Sequence, residues 1–202
     1  LLVISILSTI GVNMTSFIAL LGACGAAIAL ALKDSLGNIA GGILIIFSRP
    51  FVKGDLIEVS GNTGRVQEID LLFSKIVTLD NKVITIPNGQ LANNIIVNYS
   101  HQDYRRVNAK FGISYDADID LARATILEVV DRSKVLLRTP KEPVIGVTAH
   151  GDNCVELDAL VWCKTDDFYN AQYELYEEVK KAFDAKGIEI PYPQVVVHNA
   201  DA

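Results

Sequence analysis

Residues 1–32 carry no charged side chain, and this run limits the chain to folds in which lipid or other helices cover one long apolar segment. At about 100° per residue, residues 17–33 place Phe17, Leu21, Ile28 and Leu32 on one side. Ala19, Gly22, Ala23, Ala26, Ala27, Ala29, Leu30 and Lys33 fall on the other. These small residues, together with Gly25, allow helix backbones to approach closely, which is how helices associate in lipid. A helix over 14–32 would reach about 28 Å, close to the roughly 30 Å hydrocarbon core. Residues 1–10 are also apolar and precede a turn signal at Gly11-Val12-Asn13, so they read as the end of a preceding span. A signal peptide would need a basic n-region and a shorter core.

Leu30 is the only bulky apolar residue on the small face, and Lys33 follows nearly one turn later. That pattern suits a constriction above a charged ring. The competing readings are ordinary packing in an anchor for Leu30 and a snorkelling lysine for Lys33. Lys33, Arg49 and Lys53 close behind the span place the rest of the chain on the cytoplasmic side.

After Arg49 the composition belongs in water. Of 202 residues, 50% are hydrophobic and 21% charged, with the apolar excess before Arg49, so roughly 150 residues remain for small soluble domains. The net charge of -6 argues against a nucleic-acid partner. Three cysteines, Cys24, Cys154 and Cys163, make no complete disulfide framework and fit a reducing compartment as small apolar side chains.

Leu36, Ile39, Ala40, Ile43, Leu44 and Phe47 keep helical spacing, which predicts an amphipathic helix over 35–47. Lys33-Asp34-Ser35 with Asn38, Gly41 and Gly42 predicts a kink between Leu32 and Gly42, and Arg49-Pro50 ends the helix. Segments 55–59, 64–70, 73–79 and 82–86 read as strands of a small barrel. Pro87-Asn88-Gly89 reads as a tight turn, and 95–99 as the closing strand. Further on, a strand over 106–114 leads to a helix capped by Asp116 or Asp118. Strands over 144–149 and 154–163 follow, then a helix near 168–186 stopped by Gly187 and a short strand over 188–190. This βαββα order with a last strand predicts a ferredoxin-like α+β module. Pro191-Tyr192-Pro193 then sends the chain away as an extended segment over 194–198. The predicted divisions are 1–48, 49–100, 101–190 and 191–202.

Motifs for catalysis are missing from the sequence. His101, His150 and His198 have no partners at metal-ligand spacing, so no metal or cofactor is expected. Gly37, Gly41 and Gly42 lie in a helix and not after a strand, unlike a phosphate-binding loop. Asp116, Asp118 and Asp120 suit a helix start. A membrane-anchored scaffold or binding module remains the alternative to a pore, and a tethered enzyme is disfavoured by the lack of acid, base or nucleophile.

Five segments carry a resemblance along nearly the whole chain. They are LGACGAAIALALKDSLGNIAGG over 21–42, Arg49-Pro50-Phe51 with Gly54-Asp55, Ile86-Pro87-Asn88-Gly89, Ser114-Tyr115-Asp116 with Asp118, and Pro191-Tyr192-Pro193-Gln194. In order and spacing they resemble the bacterial small-conductance mechanosensitive channel family. The resemblance implies a homoheptamer in the inner membrane, opened by tension to release ions and small osmolytes. It also implies Sm-like β domains, α/β domains with side portals, and a barrel of C-terminal strands from Gln194, Val195, Val196, Val197 and His198.

By position, Leu30 matches the lower of the family's two sealing leucine rings, and Ala26 stands where the upper leucine is. Asp34, after Lys33, replaces the family's kink glycine. Asn38 and Gly89 match a pair that couples the amphipathic helix to the β domain. Leu32 and Leu36 match positions facing the tension-sensing outer helices. A Lys33 ring at the inner mouth would favour anions.

Overall fold

The computed structural model describes residues 15–195, and the chain forms two compact units, unit 1 up to Asn98 and unit 2 from Tyr99. The apolar run over 1–10 and the barrel positions Val196, Val197 and His198 lie outside the described residues.

Unit 1 begins with one helix, α1 (Thr15–Ser48), of 34 residues. At 1.5 Å per residue it is about 51 Å long. The helix is continuous through residues 32–42, where the kink is expected. Lys33-Asp34-Ser35 contains no proline, and the glycines weaken the backbone ladder without removing a donor. The helix stops where Arg49 turns to φ 48° and Pro50 cannot continue the ladder.

Five antiparallel strands follow: β1 (Leu56–Val59), β2 (Asn62–Ile69), β3 (Phe73–Val77), β4 (Val83–Pro87) and β5 (Ile96–Asn98). Their order in the sheet is β4-β3-β2-β1-β5. The β1–β2 hairpin turns on Ser60 and Gly61, both at positive φ, as a two-residue loop of right-twisting strands requires. One expectation fails here. Pro87-Asn88-Gly89 does not form a simple turn but starts a short helix, α2 (Asn88–Asn93), whose Leu91 is fully buried. Ile45 of α1, Phe51, Ile57, Val59, Val66, Ile76 and Leu91 make the core. Ile45 and Leu91 come from helices, so the sheet closes its apolar face only where α1 and α2 lie on it.

Unit 2 contains β6 (Tyr104–Ile113), α3 (Ile119–Arg132), β7 (Leu136–Leu137), β8 (Val144–His150), β9 (Val155–Lys164) and α4 (Phe168–Lys186). β9 lies at the centre of its sheet, paired along its whole length with β6 on one side and with β8 and β7 on the other. Val155, Leu157, Ala159, Val161 and Cys163 alternate into the core against Ala122, Ile126, Val129, Ala171, Leu175, Val179 and Phe183 of the two helices. Burial pushes the Cys163 thiol up.

Of the two candidate caps of α3, Asp118 accepts from the N–H groups of Asp120 and Leu121. Gly187 ends α4 in the left-handed conformation, with the Ile188 N–H reaching back to the Phe183 carbonyl at 2.9 Å. Residues 188–190 do not form the expected strand. A single bond, from the Ser114 N–H to the Glu189 carbonyl at 3.0 Å, holds them beside β6, because Ile188 is committed to the helix cap and Pro191 lacks a donor. β7 is too short for any periodicity to reveal it.

Trp162, the one tryptophan in the sequence, lies in β9 and reports on this unit. Phe183 is fully buried with its ring 6.1 Å from that of Phe111. Phe183→Ala should destabilise the unit by about 3–5 kcal/mol, read as a lower denaturation midpoint in Trp162 fluorescence. An unchanged midpoint would place Phe183 outside the core.

Candidate functional site

The two halves of α1 have different surroundings. Its only buried residues are Gly41, Gly42 and Ile45, with Asn38 half-buried beside them. At about 100° per residue these four share one face. Leu32, Leu36, Ala40, Ile43 and Phe47 form the opposite stripe, and all five are exposed.

The buried face rests on backbone. A methyl group at Gly41 would sit 2.5 Å from the Asn88 carbonyl oxygen and 2.8 Å from the Gly89 nitrogen. At Gly42 it would collide with the Leu71 carbonyl oxygen and come within 2.8 Å of Asn88 Nδ2. At Gly89 it would lie 2.9 Å from Asn38 Oδ1. Glycine is required at all three positions by space and not by φ, since none of them has a positive φ.

Polar groups fix the register of this dock. The Gly89 N–H donates to Asn38 Oδ1 at 3.0 Å, which satisfies an amide that the start of α2 would otherwise leave open. Asn88, fully buried, ties the surrounding loops together. Its N–H donates to the Leu72 carbonyl at 2.9 Å, its Nδ2 to the Asp70 carbonyl at 2.7 Å, and its Oδ1 accepts from the Ser74 hydroxyl at 2.7 Å. Beside these groups, Lys75 of β3 bonds Glu68 at 2.8 Å. This pair holds the Glu68 carboxyl below, and the Lys75 ammonium above, its ordinary value.

A cleft of about 750 Å³ opens next to the dock, lined by Lys33, Asp34, Gly37, Asn38, Gly89 and neighbouring residues of α2. Lys33 and Asp34 are exposed on its rim. Of the residues singled out from the sequence, the structure brings together Asn38, Gly41, Gly42 and Gly89. Sequence reasoning missed Asn88 and Ser74. Taken as a turn, Pro87-Asn88-Gly89 gave no reason to expect a buried amide, and only the tertiary neighbours reveal it.

Along the first half of α1, Ala19, Gly22, Ala23, Gly25, Ala26, Ala27, Ala29 and Leu30 are all exposed, Leu30 at 78%. Among the described residues, nothing beyond the helix's own backbone lies within 4 Å of a Cβ added at Gly22 or Gly25. The helix is long and apolar enough to cross a membrane, and no part of its most apolar window is buried within the chain. At the other end, Gln194 bonds the turn after β8, and Val195 is 81% exposed.

The small-conductance mechanosensitive channel of Helicobacter pylori is 38% identical over 199 residues, covering 97% of this chain and 72% of that protein. The chain belongs to the MscS family of mechanosensitive ion channels. Three family models divide it. Residues 1–33 match transmembrane helices 2/3 of the mechanosensitive ion channel, residues 34–101 its beta-domain, and residues 107–190 the C-terminal region of MscS. The crystal structure of Helicobacter pylori MscS in a closed state superposes with a TM-score of 0.89 over 98% of this chain and 79% of that one, at 38% identity. An uncharacterised MscS family protein of Synechocystis is 38% identical over 192 residues, of whose length the chain spans 64%. The MscS fold is thus an apolar helix leading into β-rich domains, and the dock residues Asn38, Gly41, Gly42 and Gly89 all fall within the beta-domain match.

Loss of the close approach should loosen the start of α2. In Gly42→Ala, hydrogen exchange in a peptide spanning 86–94 should quicken while peptides from β9 stay protected. Unchanged exchange at 86–94 would show that the helix accommodates the methyl group without moving.

Proposed function

We propose that seven copies of this chain line a pore in the bacterial inner membrane, opened by tension and releasing ions and small osmolytes on hypo-osmotic shock. The carrying observation is the contrast along α1. Its first half is apolar and uncovered, while its second half is fixed to the β-sheet through Gly41, Gly42 and the Asn38–Gly89 bond. A helix of this kind needs lipid on one side and copies of itself on the other, and the Ala/Gly surface suits the second contact.

In this assembly Leu30, with Ala26 one turn above, forms the seal. A neck lined by Leu and Ala cannot hydrate ions, so it excludes water and ions without a plug. A single ring of leucine makes a shorter dewetted segment than two. Tension favours whichever state has the larger cross-section in the membrane and shifts the equilibrium to the expanded pore without a ligand. Ala19, Gly22, Ala23, Gly25, Ala27 and Ala29 let neighbouring helices slide between the two packings. Leu32 and Leu36 meet the outer helices or lipid. Lys33 and Asp34 flank the inner mouth, where the ammonium ring raises local anion concentration. The soluble units hang in the cytoplasm, and the strands from Gln194 to His198 join copies in a small barrel.

Recording from patches under suction tests the seal. Leu30→Ser should lower the opening tension and impair growth on expression, and Ala26→Leu should raise the threshold. Unchanged thresholds in both would remove residue 30 from the pore, and a wild type without tension-activated current would remove the channel reading.

A further inference from the structure

The turn between β8 and β9 does more than reverse the chain. It is closed by the Gly151 N–H donating to the Cys154 carbonyl at 2.8 Å, and Tyr115, from the loop before α3, braces it by donating its hydroxyl to the Gly151 carbonyl at 2.7 Å. From this braced turn Asn153 Oδ1 accepts the N–H of Gln194 at 2.8 Å, across 41 residues of sequence.

The segment that Asn153 catches is stiff. Pro191 and Pro193 fix their own φ and favour extended backbone in the residues before them. The Gln194 side-chain amide donates to the Tyr192 carbonyl at 3.1 Å, which tightens the same stretch. Upstream, the Ser114 N–H holds the Glu189 carbonyl at 3.0 Å. A proline-stiffened arm fastened at Glu189 and at Gln194 has one direction, whereas an arm fastened only at Glu189 can swing. Tyr192 and Val195, on either side of the second fastening, are each 81% exposed, so among the described residues no extensive apolar contact replaces it.

We propose that Asn153 is the positioning residue of the C-terminal strand: by accepting the Gln194 N–H it aims each copy's strand at the place where the strands of the other copies meet. This rests on the proposed joining of copies through Gln194 to His198. The physical gain is preorganisation. Each copy in a ring must order its own arm before the strands pair, so a loss of order in one arm is repeated in every copy.

The test is thermal dissociation of the detergent-solubilised full-length particle, followed by native mass measurement. Removal of residues 191–202 sets the scale by lowering the dissociation midpoint. Asn153→Ala, which removes the acceptor, should produce more than half of that lowering. Gln194→Pro removes the same bond from the donor side without touching the turn, together with the side-chain bond to Tyr192, and should lower the midpoint at least as far. Asn153→Asp keeps an acceptor oxygen at the same reach and should stay near wild type. Trp162-reported unfolding of the unit should stay unchanged in all three. If Asn153→Ala disturbs the unit, Gln194→Pro decides. A midpoint lowered by the truncation but by neither single substitution overturns the positioning role and leaves the strand barrel standing. An Asn153→Asp midpoint as low as that of Asn153→Ala also overturns it. A truncation with no effect removes the barrel, and the positioning role with it.

Discussion

Contact between two backbones, with no side chain between them, is the constraint on which unit 1 depends. Gly41 and Gly42 bring α1 against the carbonyls of Asn88 and Leu71, and Gly89 brings α2 against Asn38. This close approach carries Ile45 into the sheet core beside Leu91 and Phe51. Burying an aliphatic side chain of that size contributes about 1.5–3 kcal/mol, a large share for a core with seven fully buried apolar side chains among the described residues. A methyl group at any of the three glycines would separate the elements, and the loss would include both the hydrogen bond to Gly89 and the burial of Ile45.

The same dock gives α1 its two characters. Below it the helix is part of a soluble domain, fixed in register by Asn38 and by the hydrogen bonds of Asn88 to Asp70, Leu72 and Ser74. Above it no other described residue covers the helix. In the proposed channel a displacement of the upper half would pass along a continuous ladder of backbone bonds to the dock with α2. Asp34, at the position that the resemblance assigns to a kink glycine, lies within the continuous helix and favours a stiff connection between the proposed seal and the dock.

The sequence made some of this legible and hid the rest for physical reasons. The apolar run, the helical spacing of Ile39 to Phe47 and the stop at Arg49-Pro50 are local patterns, and they located α1 to within a residue at its end. The strand over 154–163, found at Val155–Lys164, and the Gly187 cap were equally visible, because strand propensity and left-handed φ are written in residue type. The helix at Asn88 was not visible. Pro-Asn-Gly is strong turn chemistry, and what overrides it is burial of Leu91 and three hydrogen bonds to residues 14 to 18 positions away. The two-residue β7 and the single bond that replaces a strand at 188–190 lie below the length at which a pattern exists. In the site, the small-residue face and the Asn38–Gly89 pair came from pattern and resemblance. The buried Asn88 and Ser74 became evident only from their neighbours.

Coupling through the dock can be measured where it matters, in the recovery of current after sustained tension. In Gly89→Val the added side chain meets Asn38 Oδ1 and the Gly37 carbonyl, so α1 cannot settle on the β-sheet while the proposed seal around Leu30 is untouched. Recordings from excised patches should show altered inactivation and recovery with nearly wild-type single-channel conductance. Recovery kinetics identical to those of the wild type would contradict the coupling of pore helix and β-sheet through this contact.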